Sequence, residues 1–363
     1  MKSADGWNCV TGQSKIEALV PEWRAAAVRA ASPAVAHPAW VLAFANANRQ
    51  FGTALQVYVE RRDGLVVSVL PLTRSLAVTG RTLCSGADAT WPYFSAVLSE
   101  QSTLHALIPR LLKHAGSLEW SSLRVVDPIY RALVAWSAQN RGRVRRRRAL
   151  GEAIVMLDKD WPHVSRNIAP HLLRDMRGGE KKLKAAGLME FAAVSDPEQV
   201  TAILPEFLSL EMRGWKGRAG SAILQVPELL AFYLDLVRRA VGSDLICLYT
   251  LRVADTLVAG ELTVRAAGRI EVLKIAYDES RSAASPGTVL RSAILRDALQ
   301  DGNYSRYCMG RPSSWKSRWI QRTRPLYTVH VYRNPALRIM DRLLGKSTRA
   351  AVRRRLQRAP RDR

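Results

Sequence analysis

The chain has 363 residues, 48% of them apolar, and Lys plus Arg exceed Asp plus Glu by 24. The length suits two domains with a sizeable core, and so large a positive excess implies an anionic partner such as nucleic acid, anionic lipid or a phosphate-bearing cofactor. No run of about eighteen uncharged apolar residues is present, which argues against a membrane span.

The start, Met1–Lys15, lacks the apolar stretch of a signal peptide. The four cysteines, Cys9, Cys84, Cys247 and Cys308, lie far apart and suggest neither a disulfide framework nor a zinc site, so a reduced cytoplasmic setting is expected. Residues 40–52 read as a helix. The runs at 54–62 and 65–72 read as strands joined through Asp63-Gly64, a strong hairpin signal. A loop of small and aromatic residues over 83–98 follows, then a helix over 102–116, a strand over 118–127 and a helix over 129–140. After an arginine run comes an apolar strand over 152–158. A helical segment over 164–187 is expected to be interrupted at Gly178-Gly179, and 189–194 is strand-like. Asp196-Pro197-Glu198 has the form of a helix start, with Asp196 as cap and Pro197 in the first turn. That helix runs to Trp215, and residues 227–242 form an amphipathic one. Strands are expected at 245–253, 256–268 and 269–278, the first two joined through Ala254-Asp255. A helix over 288–302 and strands at 304–310 and 326–333 complete an α+β pattern.

Two stretches concentrate the charge. Residues 141–148, RGRVRRRR, hold six arginines, and residues 336–363 hold ten basic and two acidic residues. The first could bind phosphates or be a solvated edge between domains. The tail could lie as a basic amphipathic helix on an anionic membrane surface or remain disordered. No zinc finger, RNP1-like stretch or compact helix-turn-helix supports specific reading of nucleic acid.

Residues 273–290, LKIAYDESRSAASPGTVL, leave a strand and enter a helix through Ser285, Pro286 and Gly287. A helix start offers unpaired N–H groups and partial positive charge, which suits a diphosphate. Ser285 is expected to cap the helix, Pro286 to take its first position and Gly287 to allow close approach. An ordinary helix cap uses the same residues, and these three alone do not decide between the readings.

The segments SLEMRGWKGRAGSAI (209–223), LKIAYDESRSAASPGTVL and GRPSSWKSRW (310–319) tilt the choice, supported by HPAW (37–40), LPL (70–72) and LRDMRGGEKKLKAAG (173–187). In order and spacing they resemble the GNAT-fold acyltransferases of the cellulose-biosynthesis (CelD/BcsL-like) type, relatives of the tandem-GNAT Fem transferases. The resemblance covers roughly Pro38 to Val331. It implies two GNAT-like domains, each a mixed, mostly antiparallel sheet flanked by helices. The expected limits are 1–150 for a degenerate N-terminal domain, 151–335 for the acyltransferase domain and 336–363 for the basic tail. It also implies a splayed sheet that admits the pantetheine arm of acyl-CoA, with the pyrophosphate at Ser285–Gly287. The usual Arg/Gln-x-x-Gly-x-Gly/Ala signature is absent, since Arg281 is followed only later by Gly287.

On that basis acyl-CoA is the expected co-substrate, with no metal, and Ala276, Tyr277, Arg281, Ser285, Pro286, Gly287 and Thr288 are the candidate residues that hold it. Glu211, Arg213, Trp215, Lys216, Asp278 and Trp315 are candidates for the acceptor side. Trp215 would line its pocket, with Lys216 or Arg213 on an anionic group. Lys274, on a strand, and Lys316 are candidates near the reacting centre. Glu261, on a central strand, is the candidate general base, because burial would raise its pKa; an ordinary salt bridge is its competing role. The expected activity is acyl transfer to an amine or hydroxyl of a small-molecule or glycan-precursor acceptor. The resemblance extends this to exopolysaccharide or cell-envelope synthesis, in the cytoplasm or at the membrane periphery. The alternatives are a Fem-like enzyme using aminoacyl-tRNA and a non-catalytic basic adaptor.

Overall fold

The computed structural model describes residues 6–47, 55–77, 79–85, 95–320 and 323–344. In chain order these form β1 (Gly6–Val10), α1 (Gln13–Arg29), α2 (Pro38–Ala47), β2 (Gln56–Arg62), β3 (Leu65–Ala77), β4 (Gly80–Cys84), α3 (Leu104–His114), β5 (Ser117–Leu123), α4 (Pro128–Gln139) and β6 (Val144–Met156). There follow α5 (Trp161–Arg166), α6 (Pro170–Ala185), β7 (Met189–Val194), α7 (Pro197–Arg213), α8 (Trp215–Arg218), α9 (Pro227–Arg239), β8 (Ile246–Val253), β9 (Thr256–Ala266), β10 (Arg269–Tyr277), α10 (Pro286–Asp301), β11 (Arg306–Cys308) and β12 (Thr323–Tyr332). Two compact units result. One comprises Met1–Ala26, Gly52–Ala149 and Leu326–Arg363; the other comprises Ala27–Phe51 and Leu150–Pro325. The expected limits at 150 and 335 thus meet a chain that crosses between units more than once.

The first unit orders its strands β1-β2-β3-β4-β5-β12, all neighbours antiparallel except β4 and β5. The second orders them β7-β8-β9-β10-β11-β6, all antiparallel except β10 and β11. Each unit is therefore a mixed, mostly antiparallel α+β sheet in which one helix, α3 or α10, joins the parallel pair. Both hairpin signals form as their residues dictate. Asp63 and Gly64 take φ of 50° and 77°, and Ala254 and Asp255 take 47° and 63°, the left-handed values a two-residue hairpin turn needs. Asp196 accepts the Gln199 N–H at 2.9 Å, with Pro197 at the first helical position.

Three expectations change. The helix start at Gln13 and the strand at Gly6 arise in a segment with no assigned element. The arginine run becomes the first half of β6, where several of its members are tied internally. Arg145 pairs with Asp341 at 2.7 Å, Arg146 donates to the Tyr130 hydroxyl at 3.2 Å, and Arg143 stacks on Trp136. The expected loop at 83–98 and the end of the expected 40–52 helix fall largely outside the described residues.

The third change concerns Gly178-Gly179. The helix α6 runs through both without a break. A β-carbon on Gly179 would lie 2.3 Å from the Ala284 carbonyl oxygen, whereas one on Gly178 would meet nothing within 4 Å. Gly179 is a packing residue, there to let α6 lie directly on the turn that precedes α10. Gly179→Ala is expected to destabilise by about 1–3 kcal/mol through overpacking against backbone. Gly178→Ala, on the exposed side of the same helix, is expected to stabilise by about 0.5–1 kcal/mol. Thermal unfolding of the two single variants measures the opposite signs.

In the second unit, α6 and α10 pack on one sheet face over Cys247, Tyr249, Leu251, Ile270 and Tyr307. The helix α7 packs on the other, where Phe207 fills the space a side chain at Gly260 would need. The helix α9 shares this side, and its Phe232 meets Trp40 of α2 edge to face at 5.1 Å.

Candidate active site

The parallel pair β10 and β11 holds for three residues only: Arg269 with Arg306, Ile270 with Tyr307 and Glu271 with Cys308. Beyond that point β11 turns to β6, with Met309 N–H donating to the Ala153 carbonyl at 2.8 Å. The strand β10 continues to Tyr277, paired with β9 on its other edge. Among the described residues no strand lines its free edge from Val272 to Tyr277. That edge runs straight into the turn over Glu279–Ala284 and the start of α10.

A bulge sits between Val272 and Lys274, with Leu273 left out of the pairing. Simple alternation would put Lys274 on the face of Ile270 and Val272. The extra residue inverts the parity, so Lys274 faces α7 and α9 while Tyr277 faces α10. Lys274 Nζ lies 5.7 Å from the centre of the Tyr233 ring and has no ion pair or hydrogen bond among the described residues. Burial pulls its pKa below the ordinary lysine value; the Glu211 carboxylate opposes this and the Lys216 ammonium adds to it.

Beside Lys274 the segment 211–218 is bound to β10 and to the following turn. Buried Glu211 accepts Lys216 Nζ at 2.7 Å and the Ile223 N–H at 2.8 Å. Lys216 Nζ also donates to the Ile275 carbonyl of β10 at 2.7 Å. Glu279 accepts the Trp215 N–H at 2.6 Å and pairs with Arg218 at 2.6 Å. Gly217 is required here, since a β-carbon would lie 1.8 Å from the Met212 carbonyl oxygen. Glu211 and Lys216 are thus an internal ion pair that holds α8 to β10, not free groups for an acceptor. Trp215, 52% exposed, lies on the outside of this knuckle, and Arg213 is exposed. Arg218 and Tyr233 carry no mark of such a role in the sequence, because their partners Glu279 and Lys274 are distant along the chain.

The turn itself differs from expectation in two respects. Ser285 adopts φ 46° and makes no side-chain cap; its hydroxyl donates back to the Ser282 carbonyl at 3.4 Å. Its carbonyl accepts the Thr288 and Val289 N–H groups at 2.9 and 3.1 Å, which starts the helix by backbone bonds alone. Asp278 is a turn residue: it accepts the Ser280 N–H at 3.0 Å and its hydroxyl at 2.7 Å, and pairs with Arg281 at 3.4 Å. Ala276 and Pro286 are buried, whereas Tyr277, Gly287 and Thr288 are half-buried at the helix start. The Tyr277 ring lies 3.4 Å from where a Gly287 β-carbon would be.

Glu261 belongs to a different cluster. It is 1% exposed, pairs with Arg291 of α10 at 2.7 Å and accepts the Tyr307 hydroxyl. Arg291 also donates to Tyr307 at 2.9 Å and lies over the rings of Trp315 at 4.7 Å and Trp319 at 5.3 Å. Both Glu261 oxygens are committed, one to Arg291 and one to Tyr307, which is the geometry of the competing role, a buried ion pair. Trp315 accordingly covers a buried guanidinium. Lys316 Nζ donates to the Met309 and Arg311 carbonyls. Burial, with Arg291 nearby, pulls its pKa down to about 8. Lys316 thus lies near Arg291 and Glu261, over the same Trp315 ring as Arg291, whereas Lys274 lies apart from them beside Tyr233.

Glu152, Glu271 and Cys308 bring ligand atoms within 4.8 Å of one another on β6, β10 and β11. In the first unit, the helix that matches α10 in topology is α3. There the residue before the helix, Thr103, donates its N–H and hydroxyl to the buried Glu60 carboxylate at 3.0 and 2.6 Å.

Residues 171–317 match the family described as "Acetyltransferase (GNAT) domain". No curated protein sequence matches the chain. Among solved structures, the chain is similar to the C-terminal domain (DUF2156) of a protein assigned as a lysylphosphatidylglycerol synthetase from Agrobacterium fabrum. The TM-score is 0.54 at 14% identity, over 91% of this chain and 96% of that one. It is also similar to a conserved protein of unknown function from Bacteroides thetaiotaomicron, with TM-score 0.54 at 9% identity over 89% and 99%. FemX aligns over 92% and 99% at 12% identity with TM-score 0.48. Over residues 171–317 the chain is thus similar to a GNAT acetyltransferase domain, and its fold is shared with solved structures of low identity.

Proposed function

We propose that the second unit transfers an acyl group from acyl-CoA, or another pantetheine thioester, to an amine or hydroxyl of a small-molecule or glycan-precursor acceptor. The observation that carries this reading is the free edge of β10 after Glu271, leading into the glycine-bearing start of α10. A strand edge offers backbone N–H groups, and the carbonyls other than that of Ile275, which Lys216 takes, to the amide-bearing pantetheine arm, and a helix start offers N–H groups and positive potential to a diphosphate. Gly287 has no side chain to screen that backbone. In the first unit the matching helix start has the Glu60 carboxylate bound at its cap residue Thr103, a negative charge where the diphosphate would lie, and we read that unit as non-catalytic.

The acceptor attacks the thioester carbon directly, the C–S bond breaks, and the thiol leaves with a proton. Lys274 in its neutral form takes the proton from the attacking group. Its lowered pKa and uncommitted nitrogen suit that task, whereas Glu261 is bound and Lys316 is tied to two carbonyls. Strand N–H groups steady the oxyanion. Placement in exopolysaccharide or envelope synthesis of the cellulose type rests on the resemblance of segments 209–223, 273–290 and 310–319. The large positive charge favours one alternative, an aminoacyl-tRNA donor, for which salt-sensitive tRNA binding and RNase-sensitive activity are the marks.

Thermal unfolding of the purified chain with short- and long-chain acyl-CoAs tests the reading. A ligand at about 100 times its Kd is expected to stabilise by about 2.7 kcal/mol. Gly287→Glu sets a carboxylate where the diphosphate binds and is expected to abolish the shift, while Gly287→Ala, in ordinary contact with Tyr277, retains most of it. Failure of every thioester to stabilise the wild type would overturn the proposal.

A further inference from the structure

Residues 335–344 form a helix after β12, in the first unit. Its apolar residues Ala336, Ile339, Met340 and Leu343 recur at the spacing i, i+3, i+4 and i+7, which places them on one face. In a globular protein such a stripe ordinarily faces the core. Here it is turned outward: Ile339 is 58% and Leu343 71% exposed. The acidic residue is on the inside instead. Asp341 accepts Arg145 Nη1 and the Tyr332 hydroxyl, each at 2.7 Å, and these bonds fix the rotation of the helix. Arg342 borders the stripe beside Ile339, whereas Arg338, one turn earlier, lies on the far side of the helix toward Asp341 and donates to the Val144 carbonyl at 3.5 Å. With Val144, Arg145 and Arg146 these two arginines line a cavity of about 310 Å³. The only carboxylate this helix brings there is Asp341, already paired.

We propose that this helix is an interfacial anchor, which lays Ile339 and Leu343 into an anionic lipid bilayer while Arg342, at the border of the stripe, meets lipid phosphates. The combination selects the occupant. A nucleic acid would use the arginines but has no place for the apolar stripe. A second copy of the chain would set the same arginine rim against itself. A bilayer surface takes both, with apolar side chains below the headgroups and guanidinium groups among the phosphates. The sequence beyond the helix, residues 345–363, adds eight basic residues and one acidic. No single helix among the described residues is long and apolar enough to cross a membrane.

The test is co-sedimentation of the full chain with phosphatidylcholine vesicles, alone or with about 30% phosphatidylglycerol, at about 0.15 M salt. Binding is expected only with the anionic lipid. Ile339→Ser/Leu343→Ser is expected to lower the partition constant ~10-fold or more, and Ile339→Trp to raise it. Both positions are exposed, and unchanged thermal unfolding checks that the fold is kept. The proposal is overturned if the double serine variant binds as the wild type does, since charge alone would then hold the protein. Absence of binding to anionic vesicles overturns it too, as does a dimer in light scattering that the serine variant dissolves without any vesicle binding.

Discussion

Glu261→Leu is expected to destabilise the protein by about 3–5 kcal/mol, because it strands the Arg291 guanidinium inside the second unit. Arg291 is 5% exposed and Glu261 1%. Burial works against the arginine's charge, and Tyr307 and Glu261 more than offset it, holding its pKa above the ordinary arginine value. With the carboxylate gone, the guanidinium keeps one hydroxyl and the faces of Trp315 and Trp319, which do not supply a counter-charge. The double variant Glu261→Leu/Arg291→Met is expected to recover much of the loss, since removing both members of a buried pair leaves no uncompensated charge. Urea unfolding of the two single variants and the double variant gives the coupling directly. The experiment also separates the two roles weighed for Glu261. A general base would lose about 10²–10⁴ in rate on mutation to Gln while the fold stayed intact. An anchor loses stability, and any change in rate follows from displacement of α10.

What the sequence discloses depends on whether a residue's role is local. Asp63-Gly64, Ala254-Asp255 and Asp196-Pro197 act on their immediate neighbours, and each forms the turn or cap its chemistry calls for. The run from 273 to 290 is likewise legible, because strand, turn and helix are consecutive. Roles that depend on a distant partner are not. Gly179 reads as a helix breaker until Ala284, 105 positions later, is seen to sit against it. Glu211 and Lys216 read as free charges at a helix end until Ile223 and Ile275 take up their bonds. Ser285 and Asp278 exchange roles: the serine caps nothing, and the aspartate organises the turn. The arginines of 143–146 look like a ligand-binding run, yet strand pairing and Asp341, Tyr130 and Trp136 occupy several of them. The bulge at Leu273 has no sequence mark at all. It arises from the pairing of β9 with β10, and it alone decides which face Lys274 takes.

That face gives the last prediction its content. Lys274→Met is expected to lower kcat for acyl transfer by about 10²–10⁴ with little change in acyl-CoA affinity, as removal of a general base requires. Lys274→Arg is expected to be no better, since a guanidinium retains the charge but does not give up its proton in the working range. The pH dependence follows in sign. The acting form is the neutral amine, present above the pKa of Lys274, so kcat falls as pH is lowered through that pKa. Burial has already brought the value below that of an exposed lysine, which moves the acid limb toward neutrality. Lys216 contributes to the lowering by its charge, and Glu211 opposes it. Lys216→Met removes the repelling ammonium and frees the Glu211 carboxylate at once. Both changes favour protonated Lys274, and the acid limb is expected to move to higher pH. A lysine that merely held an anionic acceptor would behave in the opposite way. Its activity would survive in the arginine variant, and it would be lost as pH rises instead of as it falls. The pH–rate profiles of Lys274→Arg and Lys216→Met, taken at saturating acyl-CoA, therefore decide between proton removal and charge pairing at the bulge of β10.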